Sequence, residues 1–421
     1  MNYRTILILL ALQISGIALQ ADETDVPRPS IAGKVTDPDG QPLSGVRVDI
    51  STAAPKVGRG IFCPSCYLDC AKWATTDDAG HFKLEKLDAQ LKFRLVIASP
   101  GRKTQQTDLI DPSAGPVNVV LYPLPENIDP KRVVSGVVRN EQGVPVAGAF
   151  VEPHGAKTST RRWWGPVNGV ESTVTDEKGK FSMILPDDFL ALDLDIEVTG
   201  DGFCGLQVDL LEPGANPAVI EVHDGARVTG HLVHRGQPVA NMTIAVVQTD
   251  RGGSHGIFIA AVSAVTDENG AFEFRNLPPD QQYCIYSVVG DAKRTASDHI
   301  LTVKKFKMPA SGETRDVGGL EVSDPISIRG HVARVDGEPL PDNLTLSFGR
   351  EPAWDLIGIP VASDGSFEAT GLPPETYAIR VASGDLVVAS DKIKYQMLSE
   401  SSFGVHVKFS VDNLIIPVKG K

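Results

Sequence analysis

Apolar and polar side chains alternate with a period of two through much of this chain. Leu91, Phe93, Leu95 and Ile97 interleave with Lys92, Arg94 and Val96, and Tyr377, Ile379 and Val381 interleave with Ala378 and Arg380. Successive side chains of a strand point to opposite faces, so this period predicts half-buried strands. Leu277-Pro278-Pro279 and Leu372-Pro373-Pro374 stand just ahead of two such segments. Proline there ends one strand and presets the bend before the next. Beyond the first twenty residues no segment carries the 3.6-residue period of an amphipathic helix.

The pattern recurs four times. A glycine followed by a strand end appears as Gly33-Lys34-Val35, Gly136-Val137-Val138, Gly230-His231-Leu232 and Gly330-His331-Val332, at intervals of 103, 94 and 100 residues. Each is followed by a turn and a proline beside an apolar residue: Pro42-Leu43, Pro145-Val146, Pro238-Val239 and Pro339-Leu340. An acidic turn ending in phenylalanine then follows, from Asp77 to Phe82, Asp176 to Phe181, Asp267 to Phe272 and, shortened, Asp364 to Phe367. Asp at the start of such a turn accepts from backbone N–H groups ahead of it, and Gly supplies the positive φ that closes a hairpin. Each copy has the size of an immunoglobulin-like Greek-key sandwich of about 100 residues. The expected architecture is all-β: four tandem β-sandwiches at 29–124, 130–223, 225–323 and 325–421. The short linkers between them predict a semi-rigid row.

The segments GKVTDPDGQPLSGVRVDI, TTDDAGHFKLEKL and TDENGAFEFRNLPP resemble the carboxypeptidase regulatory-like repeat, a transthyretin-like sandwich. The resemblance is close in the first three copies and looser in the fourth. It implies the sandwich fold and an accessory, extracytoplasmic role. It implies no peptidase activity, because in carboxypeptidases this module follows the catalytic domain. Adhesin repeats of related fold can carry a Lys–Asn isopeptide bond, for which Lys34 and Asn118 would be the positions; Val137, His231 and His331 replace the lysine in the other copies.

Residues 1–20 hold one charge, Arg4, and an apolar run from Ile6 to Leu19. The run falls short of the ~20 residues that cross a bilayer and fits a signal peptide, which predicts a secreted or periplasmic protein with no transmembrane segment. A net charge of −13 argues against nucleic acid as a partner, since that binding relies on clustered cations. The partner expected is a protein or polysaccharide outside the cytoplasm, and nothing calls for a cofactor.

Chemistry concentrates in one connection of each copy. In the first it carries Cys63, Cys66 and Cys70. These can form a local disulfide in an oxidising compartment, a redox pair, or, with a fourth ligand such as His81, a metal site. Cys204 and Cys284 fall in predicted strands of different copies and can pair only if those copies pack side by side. The four tryptophans fall in or beside the same connection: Trp73, Trp163, Trp164 and Trp354. A variable connection on a repeated frame is where binding residues are placed, so Trp163, Trp164 and Trp354 are candidate ligand-binding residues; the competing reading is that each caps its core. His231 and His234 are three apart, on opposite faces of a strand, and so do not make a metal pair. Asp37-Pro38-Asp39-Gly40 lacks the further ligands of a calcium loop and reads as a turn. Neither a zinc-peptidase H-E-x-x-H nor a phosphate-cradling glycine loop is present. The expectation is a non-enzymatic binding or scaffold protein, with carbohydrate binding through the tryptophans and redox or metal handling through the cysteines as alternatives.

Overall fold

The computed structural model describes residues 28–56, 67–188, 192–249, 257, 261–288, 299–353, 355–383 and 385–421. The signal-like segment 1–20, Cys63, Cys66 and Trp354 lie outside them. Among the described residues there is no α-helix; three short 3-10 turns, Leu68–Ala71, Pro130–Arg132 and Glu351–Ala353, interrupt a chain of strands. Among the described residues the strands build eight sheets. Four large clusters of buried apolar side chains lie between paired sheets, each drawing residues from both. The architecture is therefore all-β and sandwich-like.

The repeated sequence marks acquire a physical reason from strand register. The first strand of each sandwich pairs antiparallel with the strand that leaves the acidic turn, and parallel with the last strand. In every case the repeated glycine faces the repeated phenylalanine: Gly33 with Phe82, Gly136 with Phe181, Gly230 with Phe272 and Gly330 with Phe367. A Cβ at these glycines would come within 2.5–2.8 Å of the partner ring. The ring lies flat over the strand, and only glycine leaves room for it.

The acidic turn is equally regular. Asp77 Oδ1 accepts from the N–H groups of Ala79 and His81 at 2.9 and 2.8 Å, and Asp176 and Asp267 repeat this pair of bonds. The preceding Thr76, Thr175 and Thr266 each accept from one backbone N–H and donate to a carbonyl of the strand entry, which stitches the two sheets together.

Departures from alternation show where sandwiches meet. In the strand Leu91–Ala98 the inward Leu91, Phe93, Leu95 and Ile97 are buried as expected, yet Val96 and Ala98 on the other face are buried too, against Phe150 and Val174. Arg47 crosses the same junction, donating to the Gly148 carbonyl at 3.0 Å. At the other end of the chain Arg350 pairs with Asp355 and Glu375, donates to the Ser287 carbonyl and is 1% exposed. Removing two charges from water is costly unless hydrogen bonds compensate, and both arginines are compensated. The units also meet out of sequence order, since the turn Leu68–Ala71 lies beside the strand Val262–Val265. The first and third sandwiches therefore touch, which a straight row would not allow.

Lys34 and Asn118 are register partners on the parallel pair of the first sandwich, half-buried and exposed respectively. Cys204, expected in a strand, sits in the connection ahead of the strand Leu206–Leu211. It does not pair with Cys284, whose thiol donates to the Pro352 carbonyl at 3.1 Å.

Candidate binding face of the second sandwich

The strand Phe150–Lys157 lies inside a five-stranded sheet, with Asp193–Thr199 on one side and the short strands Arg162–Trp164 and Thr173–Val174 on the other. Its inward side chains join Leu194, Ile196 and Val198 in the core. The opposite face gathers charge around Asp195. Two irregularities flank this residue: His154 is an extra residue in the pairing with Phe150–Lys157, and the pairing with Leu206–Leu211 slips between Leu194 and Ile196. Such bulges re-aim side chains locally.

Asp195 is 1% exposed and fully engaged. Its carboxylate accepts from Arg162 Nη2 at 3.1 and 3.0 Å and from the Leu210 N–H at 2.9 Å. Leu210 holds a φ of 63°, a conformation that costs a branched side chain about 1 kcal/mol or more and that this bond helps to retain. Gly155 is required here, because a Cβ would stand 2.9 Å from Asp195 Oδ2 and 2.7 Å from the Trp163 carbonyl.

Arg162, so anchored, lies 5.1 Å above the ring of Trp164, and Arg161 lies 4.4 Å above Trp163. Trp163 packs partly against the core and its Nε1 points at the Pro166 carbonyl at 3.4 Å. Trp164 is 61% exposed. The two tryptophans expected in a loop are thus on an edge strand, and their exposures differ because neighbours on a strand face opposite ways. Core capping describes Trp163 and does not describe Trp164.

Beside them His154 Nδ1 stands 3.1 Å from Glu197 Oε1. Burial, reinforced by the neighbouring Glu152 charge, pushes the Glu197 carboxyl up to about 8. Burial also lowers the His154 imidazole, against the pull of Asp195 and Asp209. Both shifts disfavour a charged His154–Glu197 pair near neutral pH. Burial likewise raises Asp49, with the Arg47 guanidinium opposing. Arg47 stacks at 4.4 Å on Trp73, on the adjoining sandwich, and Trp73 borders a shallow depression of about 380 Å³ lined also by Lys72, Lys83 and Glu85. The face offers flat aromatic surface, guanidinium groups and carboxyls raised by burial.

Residues 30–122 match the family model of the carboxypeptidase regulatory-like domain. The match covers under a quarter of the chain. No curated protein matches the chain by sequence. Among solved structures, the Bacillus anthracis TIE protein is similar at 13% identity and a TM-score of 0.20, covering 93% of this chain and 73% of its own. The minor pilin of the Gram-positive pathogen Streptococcus agalactiae is 12% identical with a TM-score of 0.25, over 47% of this chain and 96% of its own. The streptococcal ancillary pilin is 12% identical with a TM-score of 0.23, over 68% and 98%. Superpositions this loose do not bear on function.

Trp73, Arg47 and Asp49 lie in the matched segment, and Arg47 reaches Gly148 and Phe150 of the second sandwich. Of the predicted thiol cluster, Cys70 is half-buried at the edge of that segment's core. Burial pushes the two distant thiols up, Cys204 to about 11 and Cys284 to about 12, which keeps them as thiols rather than reactive thiolates near neutral pH. Among the described residues no helix is long and apolar enough to cross a membrane.

Proposed function

We propose that this protein is a non-enzymatic, extracytoplasmic binding and scaffold protein. Four sandwich units, 29–124, 130–223, 225–323 and 325–421, hold recognition edges at fixed spacing, and the Arg161–Trp164 edge of the second unit is the principal one. The observation that carries this reading is Trp164: a large indole, 61% exposed, standing on a paired strand rather than a loose connection, with Arg162 anchored over it by Asp195. A preorganised aromatic of this kind supplies contact area at little entropic cost, which is why such residues dominate interfaces. Export rests on the apolar segment from Ile6 to Leu19.

A polysaccharide is favoured among partners, because the exposed indole face suits the apolar face of a sugar ring while guanidinium groups meet its hydroxyls. Soluble peptidoglycan fragments and a linear β-glucan are the probes, titrated into full-length protein while tryptophan emission is followed. At least one should shift the emission of wild type, and Trp164→Ala should weaken binding about tenfold or more, near the threshold for a hot-spot residue. Affinity unchanged in Trp164→Ala would remove this edge from the function.

A further inference from the structure

The third sandwich holds a cluster far from the face described above. The strand Ala226–His234 ends in His234, and His299 and Asp324 converge on it from distant parts of the chain. Backbone pairing makes this meeting obligatory. Ile300 and Ser323 exchange N–H···O bonds of 2.8 and 2.9 Å, and the Val322 N–H donates to the Val233 carbonyl at 2.9 Å. Each of the three residues is therefore next to one whose position is fixed by a main-chain bond.

We propose that His234, His299 and Asp324 bind a transition-metal dication of the zinc class. His234 Nδ1 lies 3.2 Å from the Val322 carbonyl. A carbonyl only accepts, so Nδ1 carries the proton and Nε2 presents its lone pair, which is how metal-ligating histidines are usually oriented. That Nε2 is 3.9 Å from Asp324 Oδ1, and His299 Nδ1 is 3.9 Å from the same oxygen. One nitrogen from each imidazole and the carboxylate oxygen all lie within 4.8 Å of one another. An ion equidistant from the three would sit about 2.4 Å from each, a few tenths of an ångström beyond the ~2.0–2.2 Å of zinc bonds to these donors. Rotation of both imidazoles about χ2 is needed to close that gap and to aim their lone pairs. The rings are stacked at 4.1 Å and 21°, so their in-plane lone pairs run nearly parallel and converge on one ion only after both rings turn. Arg235 lies 3.7 Å from the other oxygen, Asp324 Oδ2, leaving Oδ1 for the metal.

Two imidazoles and one carboxylate select zinc, cobalt, nickel or copper over calcium and magnesium, which prefer all-oxygen shells. The location gives the ion a structural role. Asp324 opens the segment between the third and fourth sandwiches, just past the strand Thr314–Glu321, and an ion held there would tie that segment to the body of the third.

Metal-stripped full-length protein titrated with Zn2+ by calorimetry, and with Co2+ by absorption spectroscopy, tests the site. The variant with Cys63, Cys66 and Cys70 all changed to serine is measured beside wild type, to separate the histidine cluster from the thiols. Expected are one Zn2+ bound by the serine variant and cobalt d–d bands without a thiolate charge-transfer band. His234→Ala or His299→Ala should weaken that binding at least a hundredfold and Asp324→Asn about tenfold. Asp324 is 67% exposed, so its variant keeps the fold and reports on coordination alone. Zinc should also slow hydrogen exchange at residues 322–325 in the serine variant. Zinc uptake that vanishes with the three cysteines, or that survives both His299→Ala and Asp324→Asn undiminished, overturns the proposal.

Discussion

Replacing Gly136 by alanine tests why one glycine recurs in every copy. The new Cβ would stand 2.5 and 2.7 Å from Phe181 Cε1 and Cζ, and 2.9 Å from the Ala218 carbonyl. Carbon–carbon contacts are normally 3.5–4.0 Å. Phe181 is buried in the core and cannot step aside without displacing its neighbours. Overpacking of this kind costs about 1–3 kcal/mol. Alanine returns about 0.4–1 kcal/mol by restricting the unfolded chain, so the net loss is about 1–2 kcal/mol. In a Phe181→Leu background the ring contact is gone and the carbonyl contact remains, and the penalty should fall by about 1 kcal/mol, a coupling typical of residues in contact. Hydrogen exchange of the strands Val133–Asn140 and Lys180–Ile184 measures this locally, without treating a multi-unit chain as a single cooperative transition. An equal penalty in both backgrounds, or a stabilised Gly136→Ala protein, would refute the reasoning.

Arg350→Met should destabilise the junction of the last two sandwiches by about 3–5 kcal/mol, because it removes the guanidinium that pairs with the poorly exposed Asp355 and Glu375. The thermal midpoint should fall, and adding Asp355→Asn with Glu375→Gln should restore much of it; a triple variant no better than the single would contradict this account. The Glu197 carboxyl, pushed up to about 8 in the fold, lies well above its unfolded value of about 4.3. The folded state therefore holds the extra proton between these values, and stability of the second sandwich should be greatest at the acid end of that window and decline as pH rises through 8. Urea titrations across the window should show that decline in wild type and a flatter profile in Glu197→Gln; parallel profiles would rule out Glu197 as its source.

The marks that the chain alone displays are those whose cause is local to a strand and its turn. Period-two alternation, the Asp that opens each acidic turn and the Phe that leaves it act within a hairpin, so they repeat visibly and specify an all-β sandwich. Even the glycine opposite Phe is visible as a recurrence, although its reason, a ring lying over the strand, needs the register of two distant segments. What concerns contact between sheets was hidden. Val96 occupies a polar-side position of an alternating strand and becomes intelligible only once Phe150 and Val174 cover it. Nothing in the sequence sets Arg47 and Arg350 apart from the other cations, because their carbonyl acceptors come from a neighbouring sandwich.

The candidate sites divide the same way. The doublet Trp163-Trp164 stands out in the sequence, but strand alternation, set by pairing with Phe150–Lys157, decides that one ring caps the core and the other meets solvent. Spacing within the segment from His231 to His234 puts those two histidines on opposite faces of a strand, yet it says nothing of His299 and Asp324, which tertiary pairing brings to His234. Periodicity records which face of its own element a residue occupies; which other face lies against it is determined by the packing of whole sheets, to which residues far apart in sequence contribute together.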